Sequence, residues 1–142
     1  MKYFLILLSL ALSTMVLQTA AFSAEPGIEP QKIEGKYVGR LEVFIPRPPQ
    51  TKTYDYVVTI FKVDPGKKEL SLKTHCDTCD KKESTLSGCK ITGEAPDLLF
   101  GCKGDTWHVD YQLSGDELNG QGITPRAMPF TVKVKKVKET EK

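Results

Sequence analysis

Residues 89–123 read CKITGEAPDLLFGCKGDTWHVDYQLSGDELNGQGI, and three turn centres divide this stretch into strands whose apolar faces agree in register. Folding at Glu94-Ala95-Pro96-Asp97 sets Cys89 opposite Cys102 and Ile91 opposite Phe100. Folding at Gly104-Asp105 sets Cys102 opposite Trp107, Phe100 opposite Val109 and Leu98 opposite Tyr111. A third fold at Gly115-Asp116 pairs Leu113 with Leu118 and Tyr111 with Gly120. A slip of one residue would turn each side chain to the other face, so agreement over three turns specifies an antiparallel meander.

The same alternation extends in both directions. A strand from about Ile33 to Ile45 carries Ile33, Tyr37, Leu41, Val43 and Ile45 in one phase, with Lys36, Arg40 and Glu42 in the other. Pro46, Pro48 and Pro49 are expected to end it, because proline cannot donate to a ladder. The next strand, about Tyr54 to Val63, is apolar on both faces. Tyr56, Val58 and Ile60 alternate with Val57, Phe61 and Val63, and loops of four or five residues at Asp64-Pro65-Gly66-Lys67 would bury opposite faces. Strands at 69–76, with Leu70 and Leu72 inward, 85–93, 97–103, 106–114, 117–123 and 128–137 complete the set. The last carries Phe130, Val132 and Val134 inward. The fold class is therefore all-β: eight antiparallel strands closing into an up-and-down barrel, with a two-sheet sandwich as the alternative. The short hairpin connections favour the barrel.

Lys2, the apolar run Tyr3 to Leu17 and the small residues around Ala21-Phe22-Ser23 have the form of a signal peptide over 1–23. The run is shorter than the roughly 20 residues of a spanning helix, so cleavage is expected rather than an anchor, leaving no stable membrane span. An irregular leader (24–32), one barrel domain (33–138) and a charged tail (139–142) would follow. The expected location is exported, periplasmic or secreted. Without Lys2, one of the 20 Lys and Arg, the remainder nearly balances the 18 Asp and Glu. That balance gives no reason to expect nucleic acid as a partner.

In a meander, alternate loops share one end of the barrel. One end receives tight turns. The other receives the loops at 46–53, 77–84 and 124–127, where function collects on such scaffolds. A small exported barrel of this strand pattern resembles the lipocalin-like (calycin-like) group, which shares a Gly-x-Trp on its first strand and a basic residue near its last. The counterparts here are Gly35-Lys36-Tyr37 and Arg126. The resemblance implies an apolar cavity at the longer-loop end that binds a small hydrophobic or amphiphilic ligand. The inner-face aromatics Tyr37, Phe100, Trp107, Tyr111 and Phe130 would line that cavity or simply fill it, since eight strands leave an interior just wide enough for packing. Arg47, Lys52 and Arg126 would pair with an anionic headgroup.

Cys76, Cys79, Cys89 and Cys102 are read first as disulfides, given the export signal. Cys89 faces Cys102 across a hairpin, which leaves Cys76 to pair with Cys79, although three connectivities are open from sequence. The alternatives are a zinc site of all four thiolates, since Cys76-Asp77-Thr78-Cys79 has knuckle spacing, and a redox C-x-x-C. No other cofactor is indicated. No nucleophile elbow, His-Glu-x-x-His or phosphate loop is present. The reading is a non-enzymatic binding module. The competing reading is an interaction protein, including a homodimer, acting through an outer apolar face of Val38, Phe44, Val57, Phe61 and Val63. That face would otherwise be covered by the leader or the tail.

Overall fold

The computed structural model describes residues 28–93 and 97–138. The expected signal peptide, residues 24–27, the centre of the 94–96 turn and the charged tail lie outside the described residues. A single helical turn, α1 (Pro30–Ile33), precedes eight strands: β1 (Gly35–Pro46), β2 (Pro49–Asp64), β3 (Glu69–His75), β4 (Glu83–Ile91), β5 (Asp97–Lys103), β6 (His108–Ser114), β7 (Glu117–Ile123) and β8 (Pro129–Lys136). Each strand pairs antiparallel with the next, and β8 returns to β1 to close the barrel. Closure removes the exposed sheet edges that the sandwich alternative would have had to protect.

Two of the three expected registers hold. Ile91 faces Phe100 and Leu113 faces Leu118. The β5–β6 register differs by two residues, with Phe100 opposite Tyr111 and Cys102 opposite Val109. The turn there spans four residues rather than two. The Gly104 N–H donates to the Trp107 carbonyl at 2.9 Å, which moves Trp107 out of the strand and onto the rim. A shift of two preserves the face of each side chain, so the inward set is unchanged.

Two bulges set the phase of β2, which looked apolar on both faces, and of β4. On β2 the register shifts between Ile60 and Lys62, which leaves Phe61 as the extra residue. Val58, Ile60 and Val63 are therefore all buried, and Phe61 is turned outward at 44% exposure. The expectation that Val63 points out is corrected by this shift of phase. On β4 the register shifts between the partners of Leu70 and Leu72, Cys89 and Leu86. The extra residue falls at Ser87-Gly88, and Gly88 has φ 67°, the left-handed backbone that a glycine bulge supplies without steric cost.

β1 ends at Pro46, as expected from the prolines. Pro46 pairs with Pro49, and the turn between β1 and β2 is Arg47-Pro48 with a cis peptide. Beyond Val43 no β8 partner exists, and β2 meets β3 only from Val57 onward. The upper β1–β2 hairpin is thus a two-stranded ribbon projecting past the barrel wall. Prolines are tolerated on such an open edge because no ladder donor is lost.

The closed end is sealed by α1. Ile33 is buried, the Tyr37 hydroxyl donates to the Ile33 carbonyl at 2.7 Å, and Lys136 Nζ donates to the Lys32 carbonyl at 2.8 Å. Above this plug Tyr37, Val58, Ile60, Leu70, Leu72, Phe100, Leu118 and Val132 are almost wholly buried. The lower barrel is a solid core.

Candidate functional site: the open end of the barrel

The upper barrel is hollow. A cavity of about 460 Å³ opens between the β3–β4 loop, the β7–β8 loop and the Trp107 rim. Its walls include Leu41, Val43, Tyr56, Thr74, Met128 and Phe130, and its mouth carries Asp80, Lys81 and Arg126. An adjoining half-open pocket of about 320 Å³ shares Tyr56, Thr74, Lys81, Trp107 and Phe130 with it and extends to Leu86, Val109 and Tyr111. Both volumes lie in the range of small-molecule sites.

The positions follow from strand phase. On β6 the inward residues descend from the rim at Trp107 through Val109 to Tyr111, where the Tyr111 ring stacks on Phe100 at 5.0 Å. This stacked pair forms the boundary between hollow and packed halves. Gly120 faces Tyr111 across the β6–β7 ladder, and a Cβ there would meet the ring at 2.7 Å. Glycine at 120 therefore leaves the space that the Tyr111 ring occupies. On β3 the inward phase continues from Leu70 and Leu72 to Thr74, the buried polar residue of the described set.

Three hydroxyl-bearing side chains consequently line the lower pocket together: Tyr56, Thr74 and Tyr111. Burial pushes the Tyr56 phenol up from its ordinary value, and a hydrogen bond with the Thr74 side chain opposes that shift. Burial holds the Tyr111 phenol well above the ordinary value, and the neighbouring Tyr56 adds to the effect. Both rings stay neutral at ordinary pH. No buried side-chain nitrogen or oxygen among the described residues lacks a hydrogen-bond partner.

The expected ligand residues divide into three groups. Trp107, Tyr111, Phe130 and Arg126 stand together around the hollow half. Tyr37 and Phe100 lie below it in the packed core. Arg47 and Lys52 sit on the projecting β1–β2 ribbon, outside the residues that line the cavity, because the expected loop there is a hairpin instead. Leu41, Val43, Tyr56 and Thr74 complete the walls without having been singled out. Leu41 and Val43 share the inward phase of Tyr37, and Thr74 shares that of Leu72, so phase alone was the signal. Tyr56 was hidden by the unresolved register of β2.

Both disulfides join the partners expected. Cys76 and Cys79 are bonded within the β3–β4 loop, and Cys89 and Cys102 are bonded across β4–β5 with Cα atoms 4.4 Å apart. That separation is the close approach of a non-hydrogen-bonded antiparallel pair. With all four sulfurs paired, the thiolate set required by the zinc reading is consumed. The Cys76–Cys79 bridge borders the cavity mouth, whereas Cys89–Cys102 is buried in the core.

The basic residue over the Tyr37 ring is Lys136. Lys136 Nζ lies 5.9 Å from the centroid of the Tyr37 ring, and Arg126 belongs to the β7–β8 turn. The outer apolar residues do not gather into one face. Val38 pairs with Val57, but Phe44 and Phe61 lie near opposite ends of the hairpin, about 30 Å apart by strand rise, and Lys73 stands over Phe61. Among the described residues, no helix is long and apolar enough to cross a membrane.

The chain matches no protein-family model and no curated protein sequence.

Proposed function

We propose that the protein is a non-enzymatic binding module that takes a small hydrophobic or amphiphilic ligand into the open end of its barrel. The observation that carries this reading is the cavity of about 460 Å³ with largely apolar walls, set above a solid core and bordered by Lys81, Asp80 and Arg126. A barrel of this strand number can be packed throughout. Here the large inward side chains fill one half only. Burying an apolar ligand surface against Leu41, Val43, Trp107 and Phe130 supplies the main driving force. The mouth charges contribute orientation and salt dependence rather than bulk affinity.

Kinship with the lipocalin-like group belongs to the same proposal. It is supported by the closed meander of eight antiparallel strands and by a basic residue of the last strand, Lys136, over Tyr37 of the first. Export belongs to it too, since two disulfides suit an oxidising compartment and the N-terminal sequence has the form of a cleaved signal.

Native mass spectrometry of the protein purified from an exporting host, followed by organic extraction, tests the reading. The expected result is added mass at one ligand per chain that is released into the organic phase. A chain that carries no ligand and takes up none from a panel of medium-chain amphiphiles contradicts it.

A further inference from the structure

We infer that the ligand enters with an uncharged, hydroxyl-bearing end first, which the Tyr56, Thr74 and Tyr111 hydroxyls receive in the lower pocket. This inference rests on the binding reading above and names the class of ligand. An amphiphile has two ways to enter. Tail-first insertion would place its apolar end on the cavity bottom and its head at the mouth. Here the residues at that depth include two phenols and a threonine, one of them fully buried against Phe100. Covering three hydroxyls with hydrocarbon would desolvate them for no new bond, which is costly for any polar group.

The hydroxyls have capacity to spare. Each carries one donor and two acceptor lone pairs. Even a closed ring of bonds among the three would leave an acceptor position on each oxygen. A ligand O–H can therefore donate to this cluster, and it can accept when one of the three rotates. A carboxylate is a poor fit at the same depth because it brings a charge and only acceptors. Of the cations among the lining residues, Arg126 lines only the outer cavity, and Lys81, which lines both, is a solvent-exposed residue of the β3–β4 loop. A charge beside the hydroxyls would have only that solvated lysine to draw on, and burial of a poorly paired charge is disfavoured. The preferred ligand is thus an apolar molecule with a terminal alcohol, its body against Trp107, Leu86 and Phe130.

Trp107 is the single tryptophan of the chain and lines both pockets, so its emission reports occupancy. The test titrates the intact protein with 1-decanol and with decanoate at pH 8, then repeats both with Thr74→Val and Tyr56→Phe. The expected result is binding of 1-decanol about tenfold tighter than decanoate, with that gap narrowed in each variant through weaker 1-decanol binding. Equal or tighter binding of decanoate overturns the inference, as does a gap that both variants leave intact. The wild-type comparison stands even if a variant folds poorly. If neither probe binds, the failure belongs to the binding reading itself and takes the inference with it.

Discussion

Tyr37 ties three parts of the molecule together. Its hydroxyl holds the Ile33 carbonyl of the plug, its ring underlies Lys136, and burial with the nearby Asp116 charge pushes its phenol from 10 up to about 12. Between those two values the unfolded chain has released this proton and the folded chain retains it. The folded state then binds more protons, so stability is fully present below about 10 and falls as pH rises towards 12. The upward shifts of Tyr56 and Tyr111 act in the same direction. Alkaline denaturation followed by circular dichroism should show stability declining from about pH 10. Tyr37→Phe should flatten that decline and, by deleting the bond to Ile33, cost about 1 kcal/mol at neutral pH. The inward set was legible from alternation alone. The role of Thr74 was not, because a threonine in the phase of Leu72 looks like an ordinary strand residue until its partners from other strands are known. The basic partner of Tyr37 was missed for a similar reason. Arg126 and Lys136 both lie near the last strand, and only the ladder between β1 and β8 sets Lys136 beside Tyr37.

At the level of elements, parity decides what can be read. Strands β5, β6 and β7 keep one phase from end to end, so their inward faces were legible even where the turn length was not. Strands β2 and β4 change phase at bulges, and a bulge leaves little trace in a binary pattern beyond a doubled apolar face or an internal glycine. The β4–β5 seam is the weakest part of the wall. Its ladder consists of Lys90 with Gly101 and Ile91 with Phe100, extended by the Thr92 N–H to the Leu99 carbonyl at 2.8 Å. The Cys89–Cys102 bond staples this short seam. Replacing both cysteines by alanine should cost about 3 kcal/mol in urea denaturation, because the bond closes a loop of 13 residues. The same change at Cys76 and Cys79, which are 3 residues apart, should cost roughly 1 kcal/mol less and should alter ligand uptake more, since that bridge borders the mouth.

Across the whole barrel, one end is solid and the other hollow, and the two halves should answer differently to truncation. Phe100 is 2% exposed within the core, so Phe100→Ala should destabilise the fold by about 3–5 kcal/mol in thermal or urea unfolding. Phe130 is half-buried on the cavity wall. Phe130→Ala should cost less than about 2 kcal/mol in the same measurement but weaken ligand binding. The loop asymmetry visible in the sequence pointed to the end where the cavity opens, although the projecting β1–β2 ribbon replaced one of the expected loops. The division between packed and hollow halves was not legible, because it depends on how large residues from all eight strands stack in depth. That depth is set by stagger around the closed sheet rather than by any one strand.

The central claim is that the hollow half holds one apolar or amphiphilic molecule per chain. It is tested most directly by titrating an apolar fluorescent probe against Trp107 by energy transfer, in the wild type and in Val43→Phe, which puts a larger side chain into the cavity wall. The expected result is saturable one-to-one transfer that Val43→Phe weakens at least about tenfold while the fold stays intact. Transfer that does not saturate, or that is indifferent to Val43→Phe, would contradict it.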